Sequence, residues 1–160
     1  MQENINKPKQ RVPLGPFDLE EQEMRELGYK AIDILVDRWV SLRDKDVWAG
    51  GSRSEMEEMF RESPPEERSS AMAVMTESVD EVLTRAARID HPRFFAFVPS
   101  SPTWPSVIAD ALATGFNIFQ GTWLESAASS QVELVVLDWF REWVGMPESA
   151  GGILTSGGSA

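Results

Sequence analysis

The sequence predicts an α/β fold entered through a mostly helical N-terminal region. Three observations predict it. Apolar residues recur at helical spacing in several segments between Leu27 and Val144. Gly145 and Pro147 then stop the last of these patterns. Behind them, Gly151-Gly152-Ile153-Leu154-Thr155 reads as a short strand running into the turn Ser156-Gly157-Gly158-Ser159-Ala160. Helix, strand and Gly-rich turn in that order are how an α/β domain begins.

Each element has its own justification. Met1–Pro16 carries Pro8, Pro13, Gly15 and Pro16 and reads as an extended arm. Phe17 and Asp18 open a long helix, with Asp18 as cap and Glu21 three residues on. Leu27, Ala31, Ile34, Leu35 and Leu42 form one apolar stripe on it. Ile32, Val36, Trp39 and Val40 form a second. A helix with two apolar faces is either deeply buried or shared between subunits. A short acidic chain can hardly surround it, so sharing is the reading. Ser54–Arg61 reads as a short acidic helix, broken by Ser63-Pro64-Pro65. A further helix is expected over Ser78–Arg88, ended by His91-Pro92. Phe94–Pro99 is an aromatic, strand-like or extended run. Pro105 suits the first turn of a helix that ends near Gly115. Ser129–Val144 reads as an amphipathic helix that buries Val132, Val135, Val136, Trp139, Phe140 and Trp143.

Composition narrows the function. The 160 residues, 42% hydrophobic and 26% charged, suit one globular domain. A net charge of −11 argues against nucleic acid, which needs clustered Lys and Arg. It also argues against anionic membrane surfaces. No apolar run is long enough to span a bilayer, and the polar N-terminus is no secretory signal. The chain has no cysteine, which excludes disulfides and Cys-based metal sites and fits an intracellular, cytoplasmic protein. His91 is the single histidine, so no two-His metal site exists within the chain. The acidic stretches Glu20–Glu26 and Glu55–Glu62 read as solvated faces.

The final turn carries the clearest chemistry. Free N–H groups and the positive dipole end of a helix attract a phosphate, and glycines let the backbone approach it. Gly157, Gly158 and Ser159 are able to supply half of such a cradle. Taken alone, the same residues also read as a flexible loop. The turn lacks the Gly-Lys-Ser/Thr ending of a nucleotide P-loop. A chain stopping inside such a turn suggests that Ala160 is a truncation point and that a helix follows.

With these residues in view, a resemblance emerges. His91-Pro92-Arg93-Phe94-Phe95-Ala96-Phe97-Val98-Pro99-Ser100-Ser101 resembles the signature of the group II, aromatic-L-amino-acid type of pyridoxal-phosphate (PLP)-dependent decarboxylases. Ile108-Ala109-Asp110, Trp123, Leu134–Trp139 and Gly152–Ala160 are similar to the segments that follow it in that family. The resemblance covers roughly residues 17–160.

The resemblance implies an α/β PLP-dependent transferase fold of the aspartate-aminotransferase type (type I). Residues 1–16 would be an arm, 17–102 a helical dimer-packing domain, and 103–160 the beginning of the large PLP-binding domain. It implies a homodimer that uses PLP to convert an aromatic L-amino acid to its amine. By resemblance Gly157, Gly158 and Ser159 bind the cofactor, and Phe97, Val98, Pro99, Ser100 and Phe119 line the substrate pocket. Phe119 and Gly121 match positions contributed across the dimer. The family often has an aromatic where Gly121 stands, which implies a roomier pocket. The lysine that binds the cofactor lies beyond Ala160 in the family, so no catalytic residue is assigned and the chain alone is expected to be inactive. Other readings are a decarboxylase of another amino acid, an aldehyde synthase of the same fold, or a non-catalytic helical interaction fragment. His91 reads as a structural corner or a pocket edge, and Ser100-Ser101 as a plain loop or part of the site.

Overall fold

The computed structural model describes Gly15 and residues 18–157. The rest of the arm, Phe17, and Gly158, Ser159 and Ala160 of the final turn lie outside the described residues. The described residues fall into two compact units divided between Ser101 and Pro102.

The first unit holds α1 (Glu21–Ser41), α2 (Arg53–Phe60) and α3 (Ala71–Glu77). The cap of α1 is Glu20, not Asp18. Asp18 is diverted because its Oδ2 accepts the Gly15 N–H at 2.7 Å. Glu23 then accepts the Glu20 N–H at 3.2 Å, three residues on, as a capping box requires. At α2, Ser52 caps and Glu55 reciprocates, accepting the Ser52 N–H at 2.7 Å. A single helix over Ser78–Arg88 does not form. Instead α3 starts at Ala71 under a Ser70 cap, widens into a π-turn over Ser78–Val82, and tightens into a 3-10 turn at Leu83–Arg85. Thr76 and Thr84 donate to the carbonyls of Met72 and Asp80, each four residues back, and such back-bonding bends helices.

The second unit holds α4 (Trp104–Gly115) and α5 (Trp123–Trp143). Thr103 caps α4 and Pro105 sits in its first turn, where the missing N–H costs nothing. The helix expected from Ser129 starts six residues earlier, because Thr122 Oγ1 accepts the Glu125 N–H at 3.3 Å. Ser126 breaks the helical dihedrals (φ −150°, ψ 54°), and its hydroxyl donates to the Phe119 carbonyl at 2.6 Å. Both helices end in the same device. Asn117 (φ 50°) bonds back to Thr114 and Ile118 to Ala113. Gly145 (φ 70°) bonds back to Glu142 and Met146 to Arg141. Each is a Schellman closure that satisfies the last carbonyls.

Two further expectations are corrected. No strand exists among the described residues, so Gly151–Thr155 is extended but unpaired. A strand is defined by its ladder, and the Leu154 N–H is spent on the Glu133 carboxylate instead. The stripe Val132, Val135, Trp139, Phe140 and Trp143 lies on α5 as spaced, yet it is exposed rather than buried. Among the described residues no apolar side chain is buried. Helical periodicity decides which residues share a face; burial needs a second surface against that face.

Candidate functional site

In the first unit, the strip Phe94–Ser101 follows a fixed corner. Arg38 on α1 grips Asp90 with two bonds, Nη2 to Oδ1 at 2.7 Å and Nη1 to Oδ2 at 2.8 Å. The fork-to-fork geometry is the strongest form of this pair. The Asp90 side chain is only 10% exposed. The Arg38 guanidinium holds its carboxyl below the usual range, and the same bond raises the Arg38 pKa. A second tie comes from Arg88, whose N–H donates to the Val47 carbonyl at 2.9 Å and whose guanidinium donates to the Asp46 carbonyl.

His91 sits next in the chain and is 4% exposed. Its Nδ1 accepts the Arg93 N–H at 3.0 Å and its carbonyl accepts the Phe94 N–H at 2.9 Å. The Nε2 is buried without a partner. This is a corner built from the histidine's own backbone and ring.

Beyond the corner the strip turns outward. Phe97 lies at φ 60°, a left-handed conformation that a bulky L-residue rarely adopts. Its ring stays in contact with Phe94, with centroids 6.3 Å apart, yet it is 85% exposed. Val98 is fully exposed, and Pro99 and Ser100 are exposed too. Phe97, Val98, Pro99 and Ser100 thus form one contiguous, outward-facing strip, apolar except for its last hydroxyl.

In the second unit, Phe119 and Gly121 are in contact. A side chain at Gly121 would run into the Phe119 ring, so the glycine makes room for that ring. Phe119 occupies the space beside Gly121. Ser126 fixes the Phe119 carbonyl, so the start of α5 positions this aromatic. Further along, Leu154 is bonded to Glu133, and Thr155 Oγ1 donates to the Gly157 carbonyl at 3.1 Å. Among the described residues nothing lies within 4 Å of a side chain built at Gly157. Gly158 and Ser159, the other two residues of the expected cradle, lie outside the described residues.

Other features offer less. A hollow of about 140 Å³ between α1 and the start of α3, lined by Glu23, Glu26 and Ser70 among others, is well below the size of ligand pockets. Among the described residues no group of His, Asp and Glu is placed to hold a metal ion. No helix there is long and apolar enough to cross a membrane.

Sequence reasoning missed Arg38, Asp90, Ser126 and Glu133. The Arg38–Asp90 pair spans 52 residues and leaves no local signal. The Thr122 cap did leave one, a threonine directly ahead of the helix.

Comparison with known proteins assigns the chain to a family. Residues 54–160 match the model described as the pyridoxal-dependent decarboxylase conserved domain. An aromatic-L-amino-acid decarboxylase of Bacillus atrophaeus is 36% identical over 143 residues, 89% of this chain and 30% of the relative. A 3,4-dihydroxyphenylacetaldehyde synthase of Drosophila melanogaster is 27% identical over 129 residues, 81% of this chain and 25% of that protein. The Oryza sativa TDC structure with PLP superposes with a TM-score of 0.76 at 25% identity, over 91% of this chain and 30% of that one. The Catharanthus roseus tryptophan decarboxylase, solved in complex with L-tryptophan, has a TM-score of 0.72 at 21% identity, over 84% of this chain and 28% of that one, and shares the fold. The chain therefore spans less than a third of the length of these relatives.

Proposed function

The chain belongs to the pyridoxal-dependent decarboxylase family, and from that premise we propose that it is the N-terminal part of an enzyme that removes carbon dioxide from an aromatic L-amino acid. Its fold is a segment of the α/β, type I fold of PLP-dependent enzymes, and the described part of that segment is helical. The proposal extends to the whole protein: a cytoplasmic, PLP-dependent carboxy-lyase that works as a homodimer.

The observation that carries the reading is the outward strip Phe97–Ser100. A free-standing unit has no reason to keep a phenylalanine in a left-handed conformation with its ring in water. Strain of this kind persists where it serves a site. In this reading Phe97, Val98 and Pro99 form an apolar wall for an aromatic side chain, Ser100 adds a hydroxyl, and Phe119 closes the wall from another subunit. Residues 17–102 pack the dimer, and 103–160 begin the cofactor-binding domain. Gly157, Gly158 and Ser159 hold the cofactor phosphate through backbone N–H groups and the serine hydroxyl. The chemistry that bound PLP supplies is that of an electron sink for decarboxylation.

The relatives include both decarboxylases and an aldehyde synthase, so the test must read both products. The full-length protein is purified and mixed with tryptophan, tyrosine and 3,4-dihydroxyphenylalanine. Expected are the visible absorbance of bound PLP, carbon dioxide release, and the matching amine. Aldehyde with hydrogen peroxide would replace the amine reading with the oxidative one. Absence of PLP absorbance and of carbon dioxide would overturn the proposal.

A further inference from the structure

Resting on the cofactor reading above, we propose that Glu133 of α5 is a positioning residue: it holds the approach to the phosphate turn in place without touching the cofactor. Its Oε1 accepts the Leu154 backbone N–H at 2.9 Å, across 21 residues of sequence. Among the described residues this is the one hydrogen bond that joins residues 151–157 to a helix.

The contact is not isolated. Leu137 stands one helical turn after Glu133 and shares its face. A side chain built at Gly152 would lie 3.4 Å from Leu137 Cδ2, so the segment runs along that face. The segment thus lies beside Leu137 at ordinary contact distance, and Glu133 fixes the register two residues after Gly152. Thr155 then bonds forward to the Gly157 carbonyl, tightening the turn that leads to Gly158. The sequence of ties runs from helix to segment to turn, and each step is a named atom pair.

The chemistry of the tie makes a sharp prediction. What Leu154 needs is an acceptor oxygen, and a glutamine retains one. A leucine keeps the bulk and helix propensity but leaves the N–H unpaired. The tie needs an acceptor oxygen and not a charge, so the charge itself is dispensable.

The test uses the full-length protein, stripped of cofactor and titrated with PLP by visible absorbance, with the apo-protein melting temperature measured alongside. Glu133→Leu is expected to raise the PLP Kd about tenfold, the upper end of the loss for one ordinary hydrogen bond. Glu133→Gln is expected to stay within about threefold of wild type on the same argument. Should Glu133→Leu melt the apo-protein, Glu133→Met removes the same acceptor with another helix-favouring side chain, and a raised Kd is again expected. Unchanged affinity in Glu133→Leu or in that replacement, with saturable binding in wild type, overturns the role of Glu133. So does a glutamine variant as weak as the leucine one. Wild-type protein that fails to bind PLP overturns the cofactor reading instead, a result distinct from the other two.

Discussion

Phe97 concentrates the conflict between stability and use in a single residue. A left-handed conformation costs a non-glycine residue about 1–2 kcal/mol, and Phe97 recovers only a ring contact with Phe94. Phe97→Gly removes that cost but adds about 0.5–1 kcal/mol of chain entropy. The variant of the full-length protein is expected to be as stable as wild type or more so by up to about 1 kcal/mol, while its KM for the aromatic substrate rises. Denaturant unfolding and steady-state kinetics check both halves. A loss of more than about 1 kcal/mol would show that the ring contact outweighs the strain. Asp90 makes a second prediction. Its pKa is lowered by Arg38, so the pair's contribution is fully present above the unfolded value of about 3.9 and is lost as pH falls through the folded value. Asp90→Asn should cost about 1 kcal/mol at pH 7, and its difference from wild type should vanish in acid. A gap that is constant across pH would deny the ion pair its role. At this scale the sequence was partly legible. The family resemblance marked Phe97 and Ser100, because the motif is contiguous. The Arg38–Asp90 fork was not, because two charges far apart in sequence carry no mutual signal until the chain folds.

Helix ends were easier to read than helix courses. The stop at Gly145 and Pro147 was visible, and the structure supplies its mechanism in the left-handed Gly145 and the paired back-bonds to Glu142 and Arg141. Gly145→Ala should therefore cost about 1 kcal/mol, seen as a lower melting temperature with unchanged PLP affinity. A neutral result would mean that the closure tolerates a side chain there. Other boundaries depended on contacts that periodicity ignores. The start of α5 was set by Thr122, and its kink by the Ser126 bond to Phe119. The cap of α1 moved because Asp18 had another use. The bend after α3 follows the threonine back-bonds, which compete with the regular helical pattern. The Gly151–Thr155 strand failed for a different reason: an apolar extended run becomes a strand only beside another, and sequence composition does not say whether one is present.

For the whole molecule, the apolar faces of α1 and α5 are the dominant fact. Val40 is 77% exposed, and Ile32, Val36 and Trp39 lie exposed on the same helix. Exposed apolar residues along one helix call for a covering surface. In the proposed homodimer the partner subunit covers α1, and Val40→Asp should shift the full-length protein from dimer toward monomer in sedimentation velocity. A variant that remains fully dimeric would move the interface elsewhere. The cofactor reading stands only if the turn at Gly157 receives a phosphate. The most direct measurement is a PLP titration of the full-length apo-protein, wild type against Ser159→Asp. The phosphate-cradle account predicts saturable wild-type binding and a Kd raised at least about tenfold when a second negative charge is set against the phosphate. Equal affinity in the two proteins would contradict it.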